Sequence, residues 1–277
     1  MKNPIHRLIT AVLAGISFFT TPAYAEKLPL WEAGGGLATF TFPYYRGSSE
    51  YKTYLLPIPY VQYRGEFLKI DRGRVRGMLY QSDLAELDFS LSGSIPVNSG
   101  AIEARRGMPD LDPSFEIGPS INVHLYRASD HNTELTLRLP VRTVWTTKLQ
   151  DTGILFQPML RADIYDIKGS GWGMGIGASG IFADQRYHQH YYDVAPTYAT
   201  ADRPAYSAQG GYSGTQIMAT LGKRYSKVWV GGFIKFDTLK GAAIADSPLV
   251  KQQHNYGFGI AFAWLFSESD TMIEVDE

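Results

Sequence analysis

The chain has 277 residues, a formal net charge of −1 and 44% hydrophobic residues. Because 26 Lys and Arg balance 27 Asp and Glu, the chain lacks the basic excess of a nucleic-acid-binding surface. It contains no cysteine, which excludes disulfides and thiol catalysis.

The first 25 residues have the features of a secretory signal peptide. Lys2 and Arg7 precede an apolar run over 8–19, and the small residues Ala23 and Ala25 stand before the expected cleavage site. The apolar run is too short to cross a bilayer as a helix. We therefore expect an exported protein whose mature chain begins at residue 26.

Twelve segments of the remaining chain alternate between large apolar residues and small or polar ones, which is the pattern of β-strands. The predicted strands are 31–41, 54–63, 66–71, 73–80, 86–95, 114–126, 133–145, 153–165, 171–183, 214–225, 227–237 and 255–266. An even number of strands is typical of single-chain bacterial barrels.

The segment 256–266, YGFGIAFAWLF, has large residues on one parity and mostly glycine and alanine on the other. A strand of a soluble sandwich would usually place polar residues on its second face. A strand between lipid and a crowded lumen fits this pattern better. Closure of such strands into a barrel removes edges whose unpaired backbone groups are costly in hydrocarbon.

The predicted connections are mostly long at one end and short at the other. With the N-terminus in the periplasm, the outside links are 42–53, 71–73, 96–113, 146–152, 184–213 and 238–254. The inside links are 64–65, 82–85, 127–132, 166–170 and 226. This asymmetry is typical of outer-membrane proteins. We predict an all-β fold, a transmembrane antiparallel up-and-down β-barrel over 26–266 with about 12 strands and both termini in the periplasm.

Polar residues on the strands form a predicted lumen lining. These residues are Glu86, Asp88, Glu116, His124, Arg138, Arg142, Arg161 and Asp163. Charged groups in a small lumen normally pair with one another and fill it. The alternative is a lining that selects solutes.

Two further patterns suggest enzyme or metal sites. The segment 175–180 matches G-x-G-x-x-G, but it lies inside an alternating strand and is better interpreted as barrel wall. In the loop after residue 185, His188 and His190 could share a metal near Asp193, whereas an aromatic loop at the membrane edge explains the same residues. No nucleophile elbow occurs. We predict no enzyme activity, catalytic residue, cofactor or metal.

Three stretches resemble the MipA/OmpV family of MltA-interacting proteins. They are LPIPYVQYRGEFLKIDRGRVRG within 55–77, RRGMPDLDPSFEIGPSINVHL at 105–125 and RPAYSAQGGYSG at 203–214. The most specific residues are Gly107, Met108, Pro109, Asp110 and Leu111. The resemblance extends over about 31–266.

This resemblance implies a barrel in the cell outer membrane of a Gram-negative bacterium, in contact with lipid and lipopolysaccharide. For the family's namesake it implies a scaffold that bridges a lytic transglycosylase and a penicillin-binding protein in murein synthesis. The family supplies no catalytic residues. A pore with a charged lumen is the alternative function.

Two segments outside the strands carry further expectations. Pro109 and Pro113 would stiffen the loop 96–113 as it folds into or over the lumen. The acidic segment 267–277, which follows Phe266, is expected to be a mobile periplasmic tail or a docking handle.

Overall fold

The computed structural model describes residues 26–71 and 74–275. The predicted signal peptide, with Ala23 and Ala25, lies outside the described residues, as does the end of the acidic tail. Within the described ranges, no helix has the length and apolar character needed to cross a membrane.

The structure is a closed antiparallel β-barrel. Its strands are β1 (Glu26–Pro29), β2 (Trp31–Pro43), β3 (Tyr51–Arg64), β4 (Leu68–Asp71), β5 (Arg74–Gln81), β6 (Ala85–Gly93), β7 (Ser114–Arg127), β8 (Thr133–Thr146), β9 (Asp151–Phe156), β10 (Met159–Ile164), β11 (Trp172–Ala183), β12 (Gly211–Arg224), β13 (Val228–Thr238), β14 (His254–Glu268) and β15 (Met272–Val275). The loops contain one α-helix, α1 (Gln185–Tyr192), and short 3-10 turns at Ser99–Ala101, Glu103–Arg105 and Pro196–Tyr198.

Strands β2 to β14 form one sheet in chain order, and β14 pairs with β2 to close the ring. The predicted strand 153–165 is divided into β9 and β10. Phe156 lies opposite Val141 and Met159 opposite Arg138, so the register continues across the break. Pro158 has no N–H to contribute to the ladder, which accounts for the interruption. β9 and β10 share one position, and the described barrel therefore has the predicted twelve.

Exposure alternates along the strands and separates an outer from an inner face. The exposed side chains of β14 are Tyr256, Phe258, Ile260, Phe262, Trp264 and Phe266. The residues between them are mostly buried glycine and alanine. The outer belt of large apolar side chains is the surface that a barrel presents to hydrocarbon. The chain is thus a membrane barrel of the outer-membrane type.

The connections differ in length between the two ends of the barrel, as predicted. The long-loop end carries 44–50, 94–113, 147–150, 184–210 and 239–253. The short-turn end carries 65–67, 82–84, 128–132, 165–171 and 225–227.

The chain segments that flank the barrel form a separate two-stranded sheet, which we call the terminal ribbon: β1 paired with β15. It is attached at the short-turn end, where Leu30 N–H donates to the carbonyl of Thr271 at 2.9 Å. The Arg64 guanidinium donates to the carbonyl of Pro29 at 2.7 Å. The prediction of a mobile tail was therefore wrong for Met272–Val275, because backbone pairing with β1 orders this segment.

The seam between β14 and β2 depends on glycines. A Cβ atom added to Gly36 would overlap the carbonyl oxygen of Phe262, and one added to Gly34 would overlap that of Trp264. The intervening Gly35 faces outward, and its added Cβ would meet only the ring of Phe266 at 3.8 Å. The two strands thus approach too closely for side chains at 34 and 36.

Candidate functional site

The lumen contains a group of paired charges on β5 to β8 and β10, which we call the charged ladder: Arg76, Glu86, Glu116, His124, Glu134, Arg142, Arg161 and Asp163. Arg142 donates to Glu116 at 2.7 Å, and Arg161 donates to Asp163 at 2.8 Å. Each of these four side chains is less than 15% exposed. Mutual pairing of this kind offsets the cost of removing the charges from water.

Within the charged ladder, a histidine lies between an acid on β6 and an acid on β8. His124 Nδ1 lies 2.5 Å from Glu134 Oε1, and its Nε2 lies 3.9 Å from Glu86. Glu86 also accepts from Arg76 at 3.1 Å. The sequence analysis identified Glu86 and His124 but missed Arg76 and Glu134. The signal that could have identified them is their parity, which places each on the lumen face of its strand, β5 for Arg76 and β8 for Glu134.

The two remaining predicted lining residues lie beside the charged ladder. Asp88 is 1% exposed and accepts a hydrogen bond from the Asn122 amide at 2.9 Å. Arg138 is half-buried and lies directly opposite Asn122 in the β7–β8 register. Paired positions in antiparallel strands project to the same face, which places Arg138 on the lumen side of β8.

Two buried acids elsewhere in the lumen were missed. Glu32 is 1% exposed and pairs with Arg64 at 2.9 Å and with Arg224. Asp237, also 1% exposed, pairs with Lys235 and with Arg46, both at 3.1 Å. Lys235 and Asp237 share one parity of β13, which is a local signal for that pair. Arg46 belongs to a loop, and the partners of Glu32 lie on other strands, so strand periodicity could not reveal those pairs.

The arc of the ring formed by β13, β14, β2 and β3 is lined by rings, which we call the aromatic wall: Phe40, Phe42, Tyr54 and Phe233. Phe40 stacks on Tyr54, and Phe42 on Phe233, with ring centroids 5.4 Å apart in both pairs. A Cβ at Gly259 would lie 2.7–2.8 Å from Phe233 and Phe40. The glycines of β14 therefore leave the space that the aromatic wall occupies.

Four long loops pack together and form a cap over the long-loop end. Its core contains Tyr45, Val97, Ile102, Leu111, Tyr192, Val194, Ala208, Leu239, Ala242, Ile244 and Leu249. Hydrogen bonds join the loops: Tyr45 donates to the carbonyl of Leu249 at 2.8 Å, and Tyr192 donates to that of Arg46 at 3.0 Å. Burial raises the pKa of Tyr45 to about 12, so the hydroxyl stays protonated as the bond requires.

Helix α1 belongs to the cap and lies in the mouth of the barrel. The Asp184 side chain accepts from Tyr187 N–H at 2.9 Å and caps the helix N-terminus. Tyr187 packs on Val144, Leu155 and Ile181, which face the lumen on β8, β9 and β11. The helix therefore covers part of this end of the lumen.

The family-motif residues 107–111 lie in the cap. Gly107 has φ +81°, a conformation that glycine adopts readily. Asp110 accepts from Ser99 N–H, and the carbonyl of Pro109 accepts from the Ser99 hydroxyl, both at 2.7 Å. Leu111 is buried in the cap core. Met108 and Asp110 also line an open cleft of about 580 Å³ beside His190.

His188 and His190 lie on α1, not on an extended loop. Side chains two residues apart on a helix project to different sides, so the predicted shared metal geometry is wrong. His188 is fully buried, and its Nδ1–H donates to the carbonyl of Gln209 at 2.5 Å. The described residues contain no cluster of three or more potential metal-ligating His, Cys, Asp or Glu residues.

Acidification is expected to loosen the cap. Burial lowers the pKa of His188, and the charge of Arg46 acts in the same direction, against the Gln209 carbonyl and Asp184. A histidine whose folded pKa is lowered stabilises the fold above its unfolded value near 6.5 and loses that contribution as pH falls. The protection of amides in 184–210, which is the exchange rate corrected for its intrinsic pH dependence, should therefore decrease from pH 7.5 to 5.

The variant His188→Gln is the control for this pH effect, because its amide donates a hydrogen bond but does not titrate in this range. A smaller loss of amide protection in His188→Gln than in the wild type would support the assignment. Equal loss of protection in both proteins would show that another group is responsible.

Solved structures of outer-membrane proteins are similar to this chain at low sequence identity. A bacterial polysaccharide outer membrane secretin matches with a TM-score of 0.45 and 9% identity, over 85% of this chain and 99% of its own. The NanC porin matches with a TM-score of 0.38 and 7% identity, over 85% and 98%. Outer membrane phospholipase A from Escherichia coli matches with a TM-score of 0.33 and 8% identity, over 83% and 92%.

Comparison of the sequence with known proteins identified a family but no individual curated relative. No curated protein sequence matches this chain. The sequence model of a family described as "MltA-interacting protein MipA" matches residues 35–266.

Proposed function

This chain belongs to the MltA-interacting protein MipA family, and on this premise we propose that it is a non-enzymatic scaffold in the outer membrane of a Gram-negative bacterium. In this role it bridges a lytic transglycosylase and a penicillin-binding protein of the murein-synthesising machinery. Its outer belt contacts lipid and lipopolysaccharide, and both chain termini lie in the periplasm.

The observation that supports a scaffold over an open pore is the cap. Helix α1 lies in the mouth of the barrel, and the loop core above it contains Ile102, Leu239, Ile244 and Leu249 with no exposed surface. Diffusion of solutes needs a continuous water-filled path, as in porins. A cap packed over the long-loop end supports a lumen without such a path.

The terminal ribbon is the proposed docking surface. It is held at the short-turn end, and Met272 is 50% exposed on it. A two-stranded sheet has two free edges, and partners can add a strand to such an edge. The sequence around β15 contains Glu268, Asp270, Glu274, Asp276 and Glu277, which favours a partner with a basic surface.

The second candidate function is a channel that opens in response to a solute. The charged ladder favours it, because charged groups inside a barrel tune selectivity. In this case the cap is a gate and the short-turn end needs no partner.

A crosslinked affinity purification from native outer membranes tests the scaffold. We expect the wild type to recover a lytic transglycosylase and a penicillin-binding protein, identified by mass spectrometry. Deletion of 272–277 should reduce their recovery about tenfold or more, equivalent to roughly 1.4 kcal/mol of binding free energy.

Lys240→Ala provides the matched control, because Lys240 is exposed at the opposite end of the barrel. This variant should recover the partners as the wild type does, and both variants should retain the gel mobility of a folded barrel. Recovery of no murein enzyme above the level of an unrelated barrel would contradict the scaffold and favour the channel.

A further inference from the structure

The barrel wall is incomplete beside β3. On one side, β3 pairs with β2 from Tyr51 to Tyr63. On the other side, its ladder with β4 consists of two pairs, Tyr63 with Ile70 and Arg64 with Lys69. In the part of the chain that the structure describes, 51–62 therefore has no ladder partner on that side.

This opening, which we call the window, has a defined frame. The hairpin of β4 and β5 closes it toward the short-turn end. Across the gap, the β5–β6 ladder ends at Ser90, so among the described residues Leu91–Gly93 pairs only with β7. Toward the long-loop end, Glu103 N–H donates to Glu50 Oε1 at 2.8 Å, joining two loops above the gap.

The sequence of β3 is adapted to this free edge. Arg64 N–H donates to the carbonyl of Leu30, on the β2 side. Because N–H groups alternate between the two edges of a strand, the odd-numbered residues of the regular β2–β3 register point to the window. Pro57 and Pro59 occupy two of these positions and have no N–H. Prolines at an edge prevent further strands from pairing there.

The prolines also decide what kind of molecule could occupy the window. A protein partner that added a strand to β3 would lose hydrogen bonds at both Pro57 and Pro59. The window opens instead through the outer apolar belt, where Leu55 and Leu91 are exposed. Hydrocarbon chains of the bilayer surround this belt. The molecules with direct access to the window are therefore lipids.

The window lies between the aromatic wall on its β3 side and the charged ladder on its β6 side, where Arg142 donates to Ser90 at 3.1 Å. Tyr54 stacks on Phe40 immediately behind the free edge. Leu56 lies opposite Ala38 in register, on the same inner face, and is nevertheless 41% exposed. The apolar side of the lumen is thus continuous with the hydrocarbon, whereas paired charges fill the other side.

We propose that the window admits a single-chain amphiphile, a fatty acid or lysolipid, from the bilayer into the lumen. Its chain lies along the aromatic wall beside Leu56, and its charged head faces the charged ladder. One chain is proposed because the aromatic wall is a single apolar arc beside the window, and the apolar residues Val144, Leu155 and Ile181 are covered by Tyr187. This binding site is independent of whether the barrel also acts as a scaffold.

Single-cysteine labelling in liposomes tests this route, because the natural chain contains no cysteine. The probe is a fatty acid with a maleimide on its chain, in phosphatidylcholine vesicles. Leu56→Cys should react at least about tenfold faster than Met218→Cys. Met218 also lies on the lumen face, but it is half-buried and lies opposite the buried Gly177 on a fully paired part of the wall. Ile58→Cys is the substitute if Leu56→Cys does not fold.

Two further measurements separate the window from other routes. Unlabelled oleic acid should slow the reaction of Leu56→Cys but not that of Leu37→Cys, which is exposed on the outer face. A bulky water-soluble maleimide should label neither inner position rapidly. The proposal is overturned if Leu56→Cys reacts no faster than Met218→Cys, if oleic acid slows both exposed positions equally, or if only the water-soluble probe reaches Leu56→Cys.

Discussion

The variant Gly36→Val is expected to destabilise the barrel by about 3 kcal/mol through overpacking at the seam. The added Cβ overlaps the carbonyl oxygen of Phe262 in the β14 backbone. A backbone atom of a paired strand cannot move aside without breaking ladder hydrogen bonds, so β2 must separate from β14. The open edges that result are costly in hydrocarbon. Thermal unfolding in detergent and heat-dependent gel mobility should both show the loss.

The neighbouring variant Gly35→Val is the matched control. It adds the same side chain to the same strand, but on the outer face, where an added Cβ meets only the Phe266 ring at 3.8 Å. Gly35→Val should therefore melt close to the wild type. If both variants melt alike, strand propensity and not the close approach of β2 and β14 determines the effect.

Replacement of α1, 185–192, with a glycine-serine linker of equal length is expected to convert a poorly conducting barrel into a conducting one. The change removes Tyr187 from its contacts with Val144, Leu155 and Ile181 and opens the mouth of the lumen. In planar bilayers we expect a several-fold or greater rise in single-channel conductance, with the charged ladder setting ion preference.

The control for this experiment replaces 166–170, at the short-turn end, with a glycine-serine linker of the same length as that segment. This variant should leave conductance low. A wild-type protein that already conducts as strongly as the α1 variant would contradict a sealed lumen and favour the channel function. Low conductance in both the wild type and the α1 variant would show that further cap elements, such as the loop with Arg46, also block the lumen.

Local periodicity predicted most of the barrel wall. The alternation in 256–266 and 114–126 correctly indicated one exposed apolar face and one buried face, because a strand between lipid and lumen repeats this contrast at every second residue. Loop lengths predicted the asymmetry of the two ends. The short strand β4 and its neighbour β5 were found by pattern, although the small overlap of β4 with β3 was not.

Features that depend on distant contacts could not be predicted in the same way. The cap forms because four loops meet, and no single loop shows a periodic pattern. The pairing of Arg46 with Asp237 joins a loop to β13. Other features had local signals that were not used. Asp184 before 185–192 is a helix N-cap residue, and Pro57 and Pro59 mark a free strand edge.

The terminal ribbon affects how the barrel assembles. Closing the ring joins β2 to β14, the first and last strands of the sheet in chain order, and such remote contacts slow folding the most. The ribbon holds Trp31 and Ser269 together, with a hydrogen bond of 2.9 Å, outside the apolar belt. Tethering two segments raises the effective concentration of each for the other. We therefore expect the ribbon to hold the first and last strands of the ring close to each other and so to favour closure of the ring.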